Sequence, residues 1–220
     1  MKKATPNVSN KRVDRLVKSI RQKVANNDSR FRAHNKVNHM NNSELAEFIG
    51  EQVVRKLITL ALVSTATIKK TEEFIVGQKF QHRQKATTGI QTYIFDGFRD
   101  RILNPMRDKK VKLSRNRKLD KLRLLKDRHD TEMQAEVGHK PFRVAEFLLM
   151  LWSMLSEQKN GEDGFLLTNG YANIFHVKLE DDSVVAVSVD WDDGGWNLFA
   201  FGLDYDNRWY AVFCLFVPAT

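Results

Sequence analysis

Cysteine is almost missing from this chain of 220 residues: Cys214 is the only one. No disulfide can form within the chain, and a reducing compartment is expected. Cys214 lies in the apolar run YAVFCLFV with no neighbouring base or cation, so it reads as a small buried hydrophobe and not as a nucleophile. Proline is scarce at four, and the eleven glycines form no low-complexity linker. Long apolar runs are missing too: LITLALVSTATI (57–68) is too short to span a bilayer, and the opening MKKATPNVSNKRVDRL lacks the apolar stretch of a secretory signal. A cytoplasmic protein is the expectation.

The motifs of several function classes are absent as well. There is no zinc-finger Cys/His spacing, no glycine-aromatic signature of an RNA-recognition sheet and no KH-type loop. GFLLTNG lacks the Lys-Ser/Thr of a phosphate-cradling loop. DWDDGG (190–195) begins like a calcium loop, but Phe201 stands where the twelfth-position Glu should be. The six histidines are spread out, and their order implies no metal site or catalytic triad. No cofactor and no metal are expected, and no enzymatic activity. A metal-dependent nuclease would need the Asp and Glu side chains to converge with a Lys or His in one pocket.

Positive charge is what the last eighty residues lack. Residues 141–220 hold four Lys/Arg against twelve Asp/Glu, whereas residues 1–140 hold 32 against 15. The stretch MRDKKVKLSRNRKLDKLRLLKDRH (106–129) alone carries eleven Lys/Arg and three Asp. Gly138 and Pro141 punctuate the chain near the point where the charge changes sign. The expected organisation is a basic domain over 1–138 and an acidic domain over 139–220.

Hydrophobic spacing gives the expected elements. In KRVDRLVKSIRQKVA, Val13, Leu16, Val17, Ile20 and Val24 form one helical stripe, and SELAEFIGEQVVRKLITLALV (43–63) repeats the pattern. Further helices are predicted within 84–103, where Asn104-Pro105 should end the helix, and over 114–136, with Leu119, Leu122 and Leu125 on one side. After PFRVAEFLLMLWSMLSEQ (141–158), apolar nearly all round, the period shortens to β-rich runs joined by TNG, EDD, DDGG and DYDN. The expected fold is therefore two-domain. A mainly α-helical N-terminal half precedes an α+β C-terminal domain with one helix packed on a four- or five-stranded antiparallel meander.

A leucine stripe surrounded by cations can dock on a core and aim its charge at phosphate, where each contact releases condensed counterions. The expected phosphate contacts are Arg115, Arg117, Lys118, Lys121, Arg123 and Lys126, then Lys109, Lys110 and Lys112. A second patch is Arg12, Arg15, Lys18 and Arg21. The scattered aromatics of this half, among them Phe74, Phe80, Tyr93, Phe95 and Phe98, read as core packing, with base stacking as the alternative. The 114–128 face has no aromatic residue, which argues against a membrane surface.

The reading is a non-enzymatic nucleic-acid-binding protein, of DNA or RNA, that contacts the backbone. Its acidic domain serves protein contacts, restrains the basic half, or pairs with a second copy. The alternative is a protein–protein interaction protein, an inhibitor or adaptor, whose basic face docks on an acidic partner.

Overall fold

LALVSTATI, expected to end a helix, is instead the first strand of a large sheet. Its β-branched Val63, Thr65, Thr67 and Ile68 favour extended backbone. The computed structural model describes residues 59–138, 141–203 and 207–219. Residues 59–220 group as one compact unit, apart from 1–58. The helix expected at 11–24, most of that at 43–63, and Arg12, Arg15, Lys18 and Arg21 lie outside the described residues.

The elements in chain order are β1 (Leu60–Ile68), β2 (Phe74–Ile75), α1 (Val76–Lys79), α2 (Lys85–Thr88) and β3 (Thr92–Ile94). Next comes α3 (96–106), formed by Asp96–Phe98, a π-helical turn Arg99–Leu103 and Asn104–Met106. Then follow β4 (Lys110–Val111), β5 (Arg117–Leu124), β6 (Arg128–His129), α4 (Asp130–Val137), β7 (Phe142–Arg143) and α5 (Val144–Glu157). The chain continues through β8 (Asn173–Lys178), β9 (Val184–Asp192), β10 (Gly195–Gly202), β11 (Arg208–Trp209) and β12 (Cys214–Pro218).

The fold expectation is corrected on both sides of residue 138. Eight strands form one mixed sheet in the order β1-β5-β12-β8-β9-β10-β3, with β7 also pairing β8. Strands from before and after residue 138 thus share hydrogen bonds, and the described part of the N-terminal half is not mainly helical. β8, β9 and β10 form an antiparallel meander of three strands, where four or five were expected. The last run does not extend it: β12 lies parallel to β8 and antiparallel to β5, so it joins the two parts of the sheet.

The basic stretch is the clearest departure. Arg117–Leu124 is a strand, followed by β6 and the short α4, where a helix over 114–136 was predicted. Leu119, Leu122 and Leu125 suit a helix stripe, but Leu119, Leu122 and Leu124 also suit a strand covered on both faces. β5 lies between β1 and β12, and the ladder on each side decides the matter. The predicted helix within 84–103 is likewise broken. Gly89, at φ 73°, ends α2 in the left-handed region, and Thr92–Ile94 pairs parallel to β10.

Pro105 does not end α3. The Asn104 N–H bonds back to the Arg99 carbonyl, the wider π spacing, and Pro105 then has no N–H to satisfy.

The sheet is packed on both faces. On one side α5 buries Phe147, Leu148, Leu151 and Leu155 against Phe175, Val187, Trp196, Leu198 and Phe216. On the other, Met133 of α4 and Trp209 pack against Leu124, Ile174, Ala186 and Leu215. Asp130, in the first turn of α4, is 3% exposed. Its Oδ1 accepts from His176 Nε2 and Trp209 Nε1, each at 2.8 Å, which ties α4 to β8 and β11. Trp191 and Trp196 pair across the β9–β10 hairpin, ring centroids 5.2 Å apart, over a turn with positive φ at Asp193 and Gly194. Cys214 is buried, and burial pushes its thiol above the usual range.

Candidate nucleic-acid interface

The alternation of a β-strand distributes the expected phosphate contacts differently from a helix. Across β5, Lys121 stands opposite Phe216 and Arg123 opposite Cys214, so Arg117, Lys121 and Arg123 share the face that carries α5. Lys118 belongs to the other face. Lys121 is buried at 8% exposure, and desolvation pushes its ammonium below the ordinary lysine value. It is no phosphate contact in this conformation.

Several of the other cations already have carboxylate partners. Arg117 Nε pairs with Glu146 of α5, Lys109 with Glu180 at the β8–β9 turn, and Lys110 with Glu73 at 3.4 Å. Two of these carboxylates come from the acidic half, so that half neutralises part of the basic stretch. Lys126 is exposed beyond the end of β5.

Arg123 is exposed near the Leu124 end of β5, and five other cations gather around the Arg117 end. The Thr71 N–H bonds the Leu113 carbonyl at 3.2 Å, and the Lys70 N–H bonds Asn116 Oδ1 at 3.0 Å. Thr67 stands opposite Lys118 and Ile68 opposite Arg117. These bonds bring the end of β1 beside the loop entering β5. Lys69, Lys70, Lys112, Arg115 and Lys118 are all exposed there. Among the described residues none of the five has an ion-pair partner. Glu72, Glu73 and Asp120 are the nearby acidic residues in sequence. Lys69 and Lys70 were missed by the sequence reading, although the pair KK ends an alternating β-branched run.

A cleft of about 570 Å³ opens on the other side of the sheet's strand order, beyond the edge strand β3. Its walls are the 77–84 segment and α3, including His82, Gln84, Phe95, Asp96, Arg99, Asn104 and Arg107. The Phe95 N–H bonds the Leu198 carbonyl at 3.1 Å, and its ring stacks on Phe199 with centroids 3.9 Å apart. Phe95 is still 45% exposed.

The polar groups of the cleft are held in defined states. His82 Nδ1 accepts the Ile94 N–H at 2.9 Å, so in the neutral ring the proton sits on Nε2. Arg99 bonds Asp100 and Asp96 at 2.9 Å, and Asp100 above all raises its guanidinium above the ordinary value. Arg107 has no carboxylate partner among the described residues; its backbone carbonyl accepts the Gly77 N–H at 2.8 Å.

Among the described residues the acidic turns do not converge. Glu180, Asp181 and Asp182 precede β9, while Asp192 and Asp193 follow at its far end, so the strand separates the two groups by nine residues, roughly 30 Å. Among the described residues no three His, Cys, Asp or Glu side chains gather as a metal site, and no helix is long and apolar enough to cross a membrane. No family model matches the chain, and no curated protein or solved structure is significantly similar to it. The reading of function therefore rests on side-chain chemistry.

Proposed function

We propose that the protein binds nucleic acid without catalysing a reaction, holding the phosphate backbone at the corner formed by Lys69, Lys70, Lys112, Arg115 and Lys118. The observation that carries this reading is the pairing pattern. Arg117, Lys109 and Lys110 are matched by carboxylates, whereas five exposed cations from two segments meet with no such partner among the described residues. Unmatched, solvated cations retain the full gain from counterion release when they meet phosphate. Contacts of this kind position a backbone and carry no sequence information, so binding is largely sequence-tolerant.

The test is binding of the full chain to labelled single- and double-stranded DNA and RNA across a salt series. Five phosphate contacts give a log–log slope of about −3.5 for single strands and about −4.5 for duplex. The triple variant Lys112→Glu, Arg115→Glu, Lys118→Glu should flatten the slope by about 2–3. Binding that ignores salt, or a variant with the native slope, removes the corner from the reading. If no nucleic acid binds at low salt, the same corner is left to an acidic protein partner.

A further inference from the structure

The cleft beyond β3 combines three features. The first is a flat aromatic surface. Phe95 is backed by Phe199, and Phe199 by Phe201, with interplanar angles of 22° and 10°. Phe199 covers one side of the Phe95 ring with centroids 3.9 Å apart, and the 45% exposure of Phe95 leaves surface for a second ring to cover. The second is Arg107, a guanidinium without a carboxylate partner among the described residues, whose fork matches phosphate oxygens. The third is a rim of neutral hydrogen-bonding groups, in His82 with its proton on Nε2, Gln84 and Asn104.

We propose that this cleft takes one nucleotide, its base stacked on Phe95 and its phosphate at Arg107. About 570 Å³ lies within the range of small-molecule sites. Arg99 bonds Asp96 at 2.9 Å as well as Asp100, which offsets part of the carboxylate charge at the cleft wall. The nucleotide comes either free from solution or as an unpaired residue of a bound strand, and stacking on an aromatic ring accepts any base. In its second form the proposal rests on the phosphate-binding reading, because the corner then holds the strand from which the base is taken. The cleft lies at the opposite end of the strand order from that corner, so the two sites can be altered independently.

The experiment is titration of the full-length protein, by calorimetry and by NMR, with AMP, CMP, GMP and UMP, the matching nucleosides, and a single-stranded and a duplex oligonucleotide. The variants are Phe95→Ala, Phe95→Trp and Arg107→Gln, each checked for a native melting curve. Phe95→Ala should weaken nucleotide binding by roughly tenfold or more, and Phe95→Trp should restore it. Arg107→Gln should weaken nucleotides while leaving nucleosides unchanged.

Mononucleotides bound through Phe95, with no oligonucleotide bound, assign the site to free nucleotides and overturn only the phosphate-corner reading. A Phe95→Ala loss confined to the single strand assigns it to an unpaired base. If nucleotides fail to bind and Phe95→Ala leaves salt-dependent oligonucleotide binding unchanged, the cleft proposal is overturned and the corner stands. If neither nucleotides nor oligonucleotides bind, both are overturned.

Discussion

Lys121 and Phe216 stand directly opposite one another across β5 and β12, a lysine beside one of the most deeply buried rings in the core. Reversing charge at Lys121 would therefore report on packing before it reported on any ligand. In the folded chain the desolvated ammonium gives up its proton at lower pH than in the unfolded chain. Between those two values the unfolded chain holds more protons, so stability rises with pH through the window, and the whole penalty applies below it. Lys121→Met should melt roughly 2–4 °C above the native chain at pH 7, the effect of about 1 kcal/mol in a domain of this size. Thermal melts toward pH 10 should show the gap closing.

Asp190 behaves in the opposite sense. Burial is the main cause that raises its carboxyl above the ordinary range, against hydrogen bonds from Asn197 at 3.1 Å and Ser188 at 3.4 Å. From the ordinary value up to the raised one the folded chain holds more protons, so stability falls as pH climbs through that window. Asp190→Asn keeps an oxygen for Asn197 and removes the buried charge. Urea unfolding should find the variant gaining on the native chain between pH 3.5 and pH 7, and no gain would place solvent at the carboxylate.

Gly97 is the residue on which the cleft wall depends. A Cβ there would meet the backbone carbonyl oxygen of Ala200 in β10, and backbone cannot turn aside as a side chain can. Gly97→Ala should destabilise the protein by about 2–3 kcal/mol as α3 is pushed off the sheet. Because Phe95 immediately precedes α3, its stack on Phe199 should loosen as well, visible in the Phe95 ring resonances.

Asp130→Ala should cost about 3 kcal/mol, since it strands a buried indole N–H and a buried imidazole N–H that now share one carboxylate oxygen. Hydrogen exchange in α4 should rise with it. Exchange unchanged in α4 would mean that Met133 alone holds the helix.

The helix α5 and the strands β8, β9 and β10 were legible because their patterns are local. Val185, Val187 and Val189 alternate with small or polar residues, and Asp193-Gly194 sets the tight hairpin. The helix over Val144–Glu157 is too apolar to be anything but buried. Arg117–Leu124 carried no such mark: leucines 119, 122 and 125 stand at helical spacing, 119, 122 and 124 fall on the two faces of a strand, and its partners lie some 55 and 95 residues away. The same reason hid part of the basic corner, because Lys69 and Lys70 approach Arg115 only through pairing between β1 and β5. Phe95 was legible as an aromatic, but nothing local tells a stacking surface from a core ring.

The placement of β12 bears on how the protein comes into being on the ribosome. Residues 214–218 fill the gap between β5 and β8, so β1 and β5 cannot join the later strands until that segment has been synthesised. Until then both flanking strands present open ladders to the surrounding solution, where other extended chains compete for them. The nascent protein must wait with its sheet divided in two, and its assembly should be slow even for its size.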